Sequence, residues 1–240
     1  MCVVEVESRV AINKFNENVI PQIGGAKYKH TMVIDGNDGR GIDVGIMTKS
    51  AFEISSIGTH VDDSDDEGIV FSRGCAEYTI KTALGNSILI LINHFKSQSG
   101  NASTNDAKRK RQAKRVREIY EEKLRQGIEY IAVAGDLNID PSHDSLQPLL
   151  GNGSSLLDIT KHPKFKSDGL SWTYKGSSHE GKLDYILLSP KLQDKVAQGG
   201  IERRGVWVEG NNNGFEHFPE VKGPLDGASD HAAIWVDIDI

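Results

Sequence analysis

Short apolar runs, alternating or continuous, recur along the chain and are closed by glycine, asparagine or aspartate, the pattern of β-strands separated by turns. They fall at residues 3–6, 31–34, 43–48, 75–84, 87–95, 130–134, 183–188 and 232–240. The runs at 75–84 and 87–95 meet at Gly85-Asn86, which predicts a two-residue hairpin turn. Helical spacing occurs twice. Residues 9–20 fit a helix that stops before Pro21 and the Gly24-Gly25 turn, and residues 106–126 fit a longer one. Thr104 or Asn105 would cap the second helix, Val116, Tyr120 and Leu124 form its apolar stripe, and Gly127 can end it. Hairpin-linked strands with helices scattered among them predict an α/β or α+β sandwich of mixed sheets. A strictly alternating parallel architecture fits less well.

Composition narrows the class without changing this picture. The 240 residues are 38% hydrophobic and 26% charged, a globular balance that fits a single domain over 1–240 without internal repeats. The longest apolar run, at 87–95, is strand length, so no bilayer-spanning segment is expected. Residues 1–7 lack a charged leader, which points to no signal peptide and to a cytoplasmic location by default. Cys2 and Cys75 are too few for a disulfide framework, and neither Cys-x-x-Cys nor His-Glu-x-x-His occurs. A formal net charge of −6 argues against bulk attraction to nucleic acid, so phosphate must be held by local patches or by metal. The acidic segment 61–68 reads as a solvated turn. The basic run K-R-K-R-Q-A-K-R-V-R at 108–117 reads as a solvated helix face or as a track for a phosphate backbone.

The candidate chemistry lies at strand ends. Glu5 sits near the end of the first run, and Asn93-His94 near the end of the run at 87–95. Gly135-Asp136-Leu137-Asn138 follows the run at 130–134, Asp184 opens that at 183–188, and Ser229-Asp230-His231 precedes the last. Each alone is weak, because Asp and Asn favour ordinary turns. Together they are what a metal–phosphate site on a sheet edge requires.

In this order and spacing the motifs resemble the endonuclease/exonuclease/phosphatase family, and deoxyribonuclease I within it. The matching segments are V-E-V-E at 4–7, N-H-F-K-S at 93–97, G-D-L-N at 135–138, L-D-Y-I-L at 183–187 and S-D-H at 229–231. D-G-N-D-G-R-G-I-D-V at 35–44 and S-W-T-Y at 171–174 look like a bacterial branch. The resemblance implies two packed mixed β-sheets flanked by helices, a four-layer sandwich. It implies Mg²⁺, with Mn²⁺ or Ca²⁺ as alternatives, held by Glu5 with Asp230 nearby; oxygen ligands suit such hard cations. Asp136 and Asn138 are then expected to orient the attacking water and the scissile phosphate. His231 is expected as the catalytic histidine, oriented by Asp184, and His94 as a second histidine at the phosphate or as the opposing acid. Asn93, Arg40 and Asp43 are expected at the substrate, with Asp43 also a candidate carboxylate partner of His94.

The implied activity is an endonuclease-type phosphodiesterase acting on DNA, or on RNA, by in-line water attack on phosphorus. A phosphatase or phospholipid phosphodiesterase, acting on inositol phosphates or sphingomyelin, is the alternative; an inactive binding scaffold is a third reading. The chain departs from the family at its start. The family's first strand, its Asn and the following helix have no counterpart, and Val4 stands where Gln is usual. The chain therefore reads as N-terminally truncated relative to the family, with an open sheet edge that favours pairing with a second copy.

Overall fold

The computed structural model describes residues 1–177, 179–207 and 215–240. Its centre is a six-stranded sheet in the order β10 (Leu157–Asp158), β14 (Asp184–Leu188), β9 (Ile131–Asp136), β8 (Ser87–His94), β7 (Cys75–Lys81), β4 (Glu53–Thr59). Only β8 and β9 run parallel within it, and the crossover between them is helix α2 (Ala102–Arg125). Two three-stranded sheets complete the scaffold. One has the order β1 (Cys2–Val6), β3 (Asp43–Thr48), β2 (His30–Ile34); the other has β11 (Phe165–Lys166), β15 (Val196–Glu202), β16 (Ala233–Ile238). Two-residue pairs β5 (Ser64–Asp65) with β6 (Gly68–Ile69), and β12 (Tyr174–Lys175) with β13 (Glu180–Gly181), form small ribbons.

Side-chain alternation along the central strands decides the layers, since neighbouring residues point to opposite faces. On one face Leu89, Leu91, Ile131, Val133, Tyr185 and Leu187 bury α2 through Ala113, Val116, Ile119 and Tyr120. On the other, Ala76, Tyr78, Ile80 and Ile92 meet Val44 and Ile46 of β3, with Val4 at the margin. Further along that face Ala132 and Leu188 meet Val196 of β15 and Ile234 and Val236 of β16. The architecture is thus the expected mixed-sheet sandwich, with its second β layer made of two short sheets. Strands β1 and β16 each lie at the end of their sheet. No described helix is long and apolar enough to cross a membrane.

Several local expectations shift. Helix α2 begins at Ala102 because Asn101 is its cap, its side chain accepting the Thr104 N–H at 3.1 Å; Asn105 lies inside the helix, buried, and donates to Ser99 O. The first helix is α-helical only over α1 (Arg9–Lys14). It then widens to a π turn and tightens to a 3₁₀ turn through Ile23, which accommodates Pro21 at a helix start before Gly24 closes it with φ 76°. The hairpin between β7 and β8 is longer than two residues: Lys81 pairs with Ser87, and Thr82 N bonds Asn86 O. The acidic segment is no free turn. Asp65 pairs with Arg111, Asp63 with Arg115 at 2.6 Å, and His60 sits between Asp63 (3.0 Å) and Glu77 (2.7 Å). Two cations of the basic run, Arg111 and Arg115, are therefore engaged by the acidic loop.

Candidate active site

Parallel pairing of β8 with β9 sets His94 directly beside Asp136, and antiparallel pairing of β14 with β9 sets Asp184 on Asp136's other flank. Three groups far apart in sequence thus meet at one end of three adjacent strands. All three are less than a tenth exposed.

The Gly-Asp-x-Asn turn has a local reason for each position. Gly135 has φ 127°, and a Cβ there would lie 1.9 Å from Asn93 O, so only glycine lets β8 and β9 stay paired at this point. Asn138, with φ 57°, folds its backbone N–H onto Asp136 Oδ1 at 2.7 Å. Its amide Nδ2 donates to Asp136 Oδ2 at 2.8 Å and to Phe95 O at 3.2 Å. Asp136 is therefore fixed by its own turn before any ligand arrives. Gly135→Ala is expected to cost on the order of 4 kcal/mol, visible as a collapse of the thermal transition; a melting temperature close to wild type would contradict this reading.

His231 comes from the loop before β16. Its Nδ1 lies 2.8 Å from Asp184 Oδ2, its backbone N–H donates to Ser229 Oγ, and its ring lies 4.9 Å from that of Tyr174. Burial works against its charged form, but the hydrogen bond to Asp184 and the charges of Asp184, Asp136 and Asp230 prevail and raise it to about 9. Asp136 moves up to about 7, driven by burial and then by the Asp184 carboxylate, against the pull of His231 and the Asn138 N–H. His94 goes the other way. Burial first, then the charges of Arg73 and His231, lower it to about 3, so its imidazole is neutral near pH 7. Its Nε2 stands 3.6 Å from Asp136 Oδ2 and 3.8 Å from Glu5 Oε1, beyond hydrogen-bond reach of either.

Glu5 occupies a bulge in β1, where the register with β3 skips between Val4 and Val6 and φ is 58°. Such a bulge re-aims a side chain, and a non-glycine residue in the left-handed region is a signal of function. The remaining expected residues divide. Asp230 is exposed next to His231, and its carbonyl accepts from Lys175 N. Arg40 is exposed and held by Asp38. Asp43 is buried and accepts from Gly36 N at 2.6 Å; the carboxylates within 4 Å of His94 among the described residues are Asp136 and Glu5. Asn93 is fully buried and donates to Leu91 O; alternation places it on the helix side of β8, opposite His94. The sequence reading passed over Asp38 and Arg73. Arg73 is buried, donates to Asp38 at 2.9 Å and to Phe95 O at 2.6 Å, and so ties the Gly-rich loop that carries Arg40 to the site turn. Asp38 lies in the same Gly-rich motif as Arg40 and could have been found there; Arg73 lies in a loop that carries no comparable pattern.

Among the described residues, one group of three ionisable side chains fits a metal: Asp136, Asp184 and His231, whose ligand atoms lie within 4.8 Å of one another. The two carboxylates suit a hard cation such as Mg²⁺ or Mn²⁺, whereas the His231 imidazole, protonated and hydrogen-bonded to Asp184, stands beside the ion and does not ligate it. Glu5 and Asp230 fall outside this group of three. The titrations make the fit testable. Asp136, raised above its unfolded value of 3.8, costs the metal-free fold stability increasingly as pH climbs to about 7. The stability from the raised His231 is complete below 6.5 and is lost as pH rises through about 9. Neutral His94, lowered to about 3, works the other way and adds stability as pH rises to 6.5. The metal-free melting temperature is therefore expected to stay nearly level up to about pH 6.5 and to fall from there to about pH 9, while the gain on adding Mg²⁺ grows as Asp136 deprotonates. Calorimetry with and without Mg²⁺ checks both slopes, and a metal gain independent of pH would remove Asp136 from the ligand set.

The sequence profile of the Endonuclease/Exonuclease/phosphatase family matches residues 2–231. No curated protein sequence matches significantly. Among solved structures, truncated TDP2 from Caenorhabditis elegans superposes with a TM-score of 0.63 at 17% identity, over 97% of this chain and 81% of that one. The mannosyl-6-phosphatase of Bacteroides thetaiotaomicron gives 0.60 at 19% identity, over 88% and 77%. D. rerio TDP2 complexed with single strand DNA product gives 0.62 at 14% identity, over 98% and 83%. At these identities the likeness is one of fold.

Proposed function

Because the chain belongs to the endonuclease/exonuclease/phosphatase family, whose members are generally divalent-metal-dependent phosphoesterases, we propose that it is a phosphodiesterase that cleaves nucleic acid, DNA in the first instance. The observation that carries this is the Asp184–His231 pair standing against Asp136 at one sheet end, with ligand atoms within 4.8 Å. Hydrolysis at phosphorus needs a proton acceptor for water on one side and positive charge around the equatorial oxygens. Asp136, near neutral in its titration and held by Asn138, takes the water's proton. His231, cationic and steadied by Asp184, faces the phosphoryl oxygens and gives its proton to the leaving oxygen as the ester P–O bond breaks. His94, kept neutral, offers a ring nitrogen without adding charge. A divalent ion would be held by Asp136 and Asp184, with Glu5 and Asp230 as further carboxylates, and would supply charge neutralisation at the phosphate.

The deciding experiment combines plasmid nicking, single-stranded oligonucleotide cleavage and bis-p-nitrophenyl phosphate hydrolysis with Mg²⁺, against EDTA. Metal-dependent cleavage supports the proposal. No turnover of any phosphoester favours the inactive scaffold.

A second reading, a small phosphate monoester such as a sugar or inositol phosphate, has its own support. Arg111, Arg115 and Arg117 of the basic run are engaged by acidic partners, and Arg109 is buried, so these cations are not a free track for a strand. The salt dependence separates the two: a nucleic-acid enzyme loses affinity steeply with salt, by a logarithmic slope of about −0.7 per neutralised phosphate on a single strand. A p-nitrophenyl phosphatase with little salt dependence would favour the monoester. The terminal position of β1 also supports self-association through its edge; light scattering over a concentration series should show a dimer, and a 26.3 kDa monomer throughout would refute it.

A further inference from the structure

Asp184 and His231 come from separate elements, and something must hold those elements in register for the 2.8 Å bond between them to persist. Thr173, fully buried, bonds to both. Its hydroxyl oxygen accepts the backbone N–H groups of Leu183 and of Asp184, each at 2.9 Å. Its carbonyl accepts the N–H of Ala232, the residue after His231, at 2.6 Å. Its own N–H donates to Gly181 O at 3.0 Å. The next residues of the same segment continue the clamp, with Tyr174 bridged to His231 and Lys175 N bonded to Asp230 O.

We infer that Thr173 is a positioning residue, whose hydroxyl fixes the backbone of Asp184 while its carbonyl fixes that of His231. The inference rests on the phosphoesterase reading for its kinetic consequence, not for its geometry. A hydroxyl carries two lone pairs, and here two N–H groups occupy them. Serine provides the same oxygen; valine provides the same shape with no acceptor. Without the oxygen the two N–H groups lose a buried partner, and the strand start shifts to recover one. A displacement of about 1 Å in a reacting group is enough to cost about 10²-fold in rate.

The test compares Thr173→Val with Thr173→Ser by two readouts. One is the low-field proton resonance of the His231 Nδ1–H bond to Asp184, read on the metal-free protein. The other is the separation of kcat from KM on bis-p-nitrophenyl phosphate with Mg²⁺. Thr173→Val is expected to shift or lose the resonance and to lower kcat by about 10- to 100-fold with KM little changed. Thr173→Ser should restore both. A normal resonance and kcat in Thr173→Val would overturn the inference. So would equal damage in Thr173→Ser, which would assign the effect to methyl packing. Should Thr173→Val not fold, Thr173→Cys takes its place, compared with Thr173→Ser, which shares its shape and differs in offering a better acceptor; an intermediate effect is expected. If the wild-type protein turns over no phosphoester, the functional reading fails, and the resonance alone still decides the positioning role.

Discussion

His231→Ala is expected to lower kcat by about 10²- to 10⁴-fold while leaving the fold intact. The side chain is partly exposed, and its bonds are to Asp184 and within its own loop, so its removal opens no core cavity. What disappears is a cation held beside two carboxylates, the group proposed to face charge developing on the phosphoryl oxygens. Steady-state kinetics on a purified variant with an unchanged melting transition would check it. Retention of more than about a tenth of wild-type kcat would remove His231 from the chemistry. Asp184→Asn should also lower kcat, because the imidazole loses its stabilising charge and the candidate metal site loses a carboxylate.

Asp136→Ala is expected to abolish turnover and Mg²⁺-induced stabilisation together. One carboxylate is the candidate ligand, the proposed proton acceptor and the anchor of the Asn138 turn. Removing it leaves the Asn138 N–H and amide without their shared partner, so a stability loss of about 1–3 kcal/mol should accompany the kinetic loss. The two effects separate in Asn138→Ala, which keeps the carboxylate and loses only the amide; it should retain metal binding and lose part of kcat. Metal titration by calorimetry on both variants is the check, and unchanged Mg²⁺ binding in Asp136→Ala would refute the shared role.

Much of this was legible in the sequence because strand periodicity is local. The runs at 43–48, 87–95 and 183–188 read as strands, and strand ends are where polar residues stand out against apolar neighbours. That brought His94, Asp136, Asp184 and His231 forward before any coordinates. What escaped depends on contacts between distant segments. Strand β4 escaped because its E-I-S-S-I-G-T sequence is half polar, as an edge strand at a solvated margin can be. Arg73 and Thr173 escaped because their roles are set by backbone carbonyls and N–H groups, which leave no mark on residue identity. Asn93 looked equivalent to His94, yet one step along a strand reverses the face. The pairing of the acidic loop with α2 spans 46 positions from Asp65 to Arg111, a separation no local pattern carries.

The candidate groups enter the chain at positions 5, 94, 136, 184 and 231, so the site has no sub-fragment. The β7–β8 hairpin and helix α2 can form early, since their contacts are local, whereas the parallel β8–β9 pairing spans the crossover. His231 joins only when the loop before β16 docks against Tyr174. In time, therefore, hydrolytic competence is the last property this polypeptide acquires. During refolding, helix ellipticity should recover before phosphoester turnover.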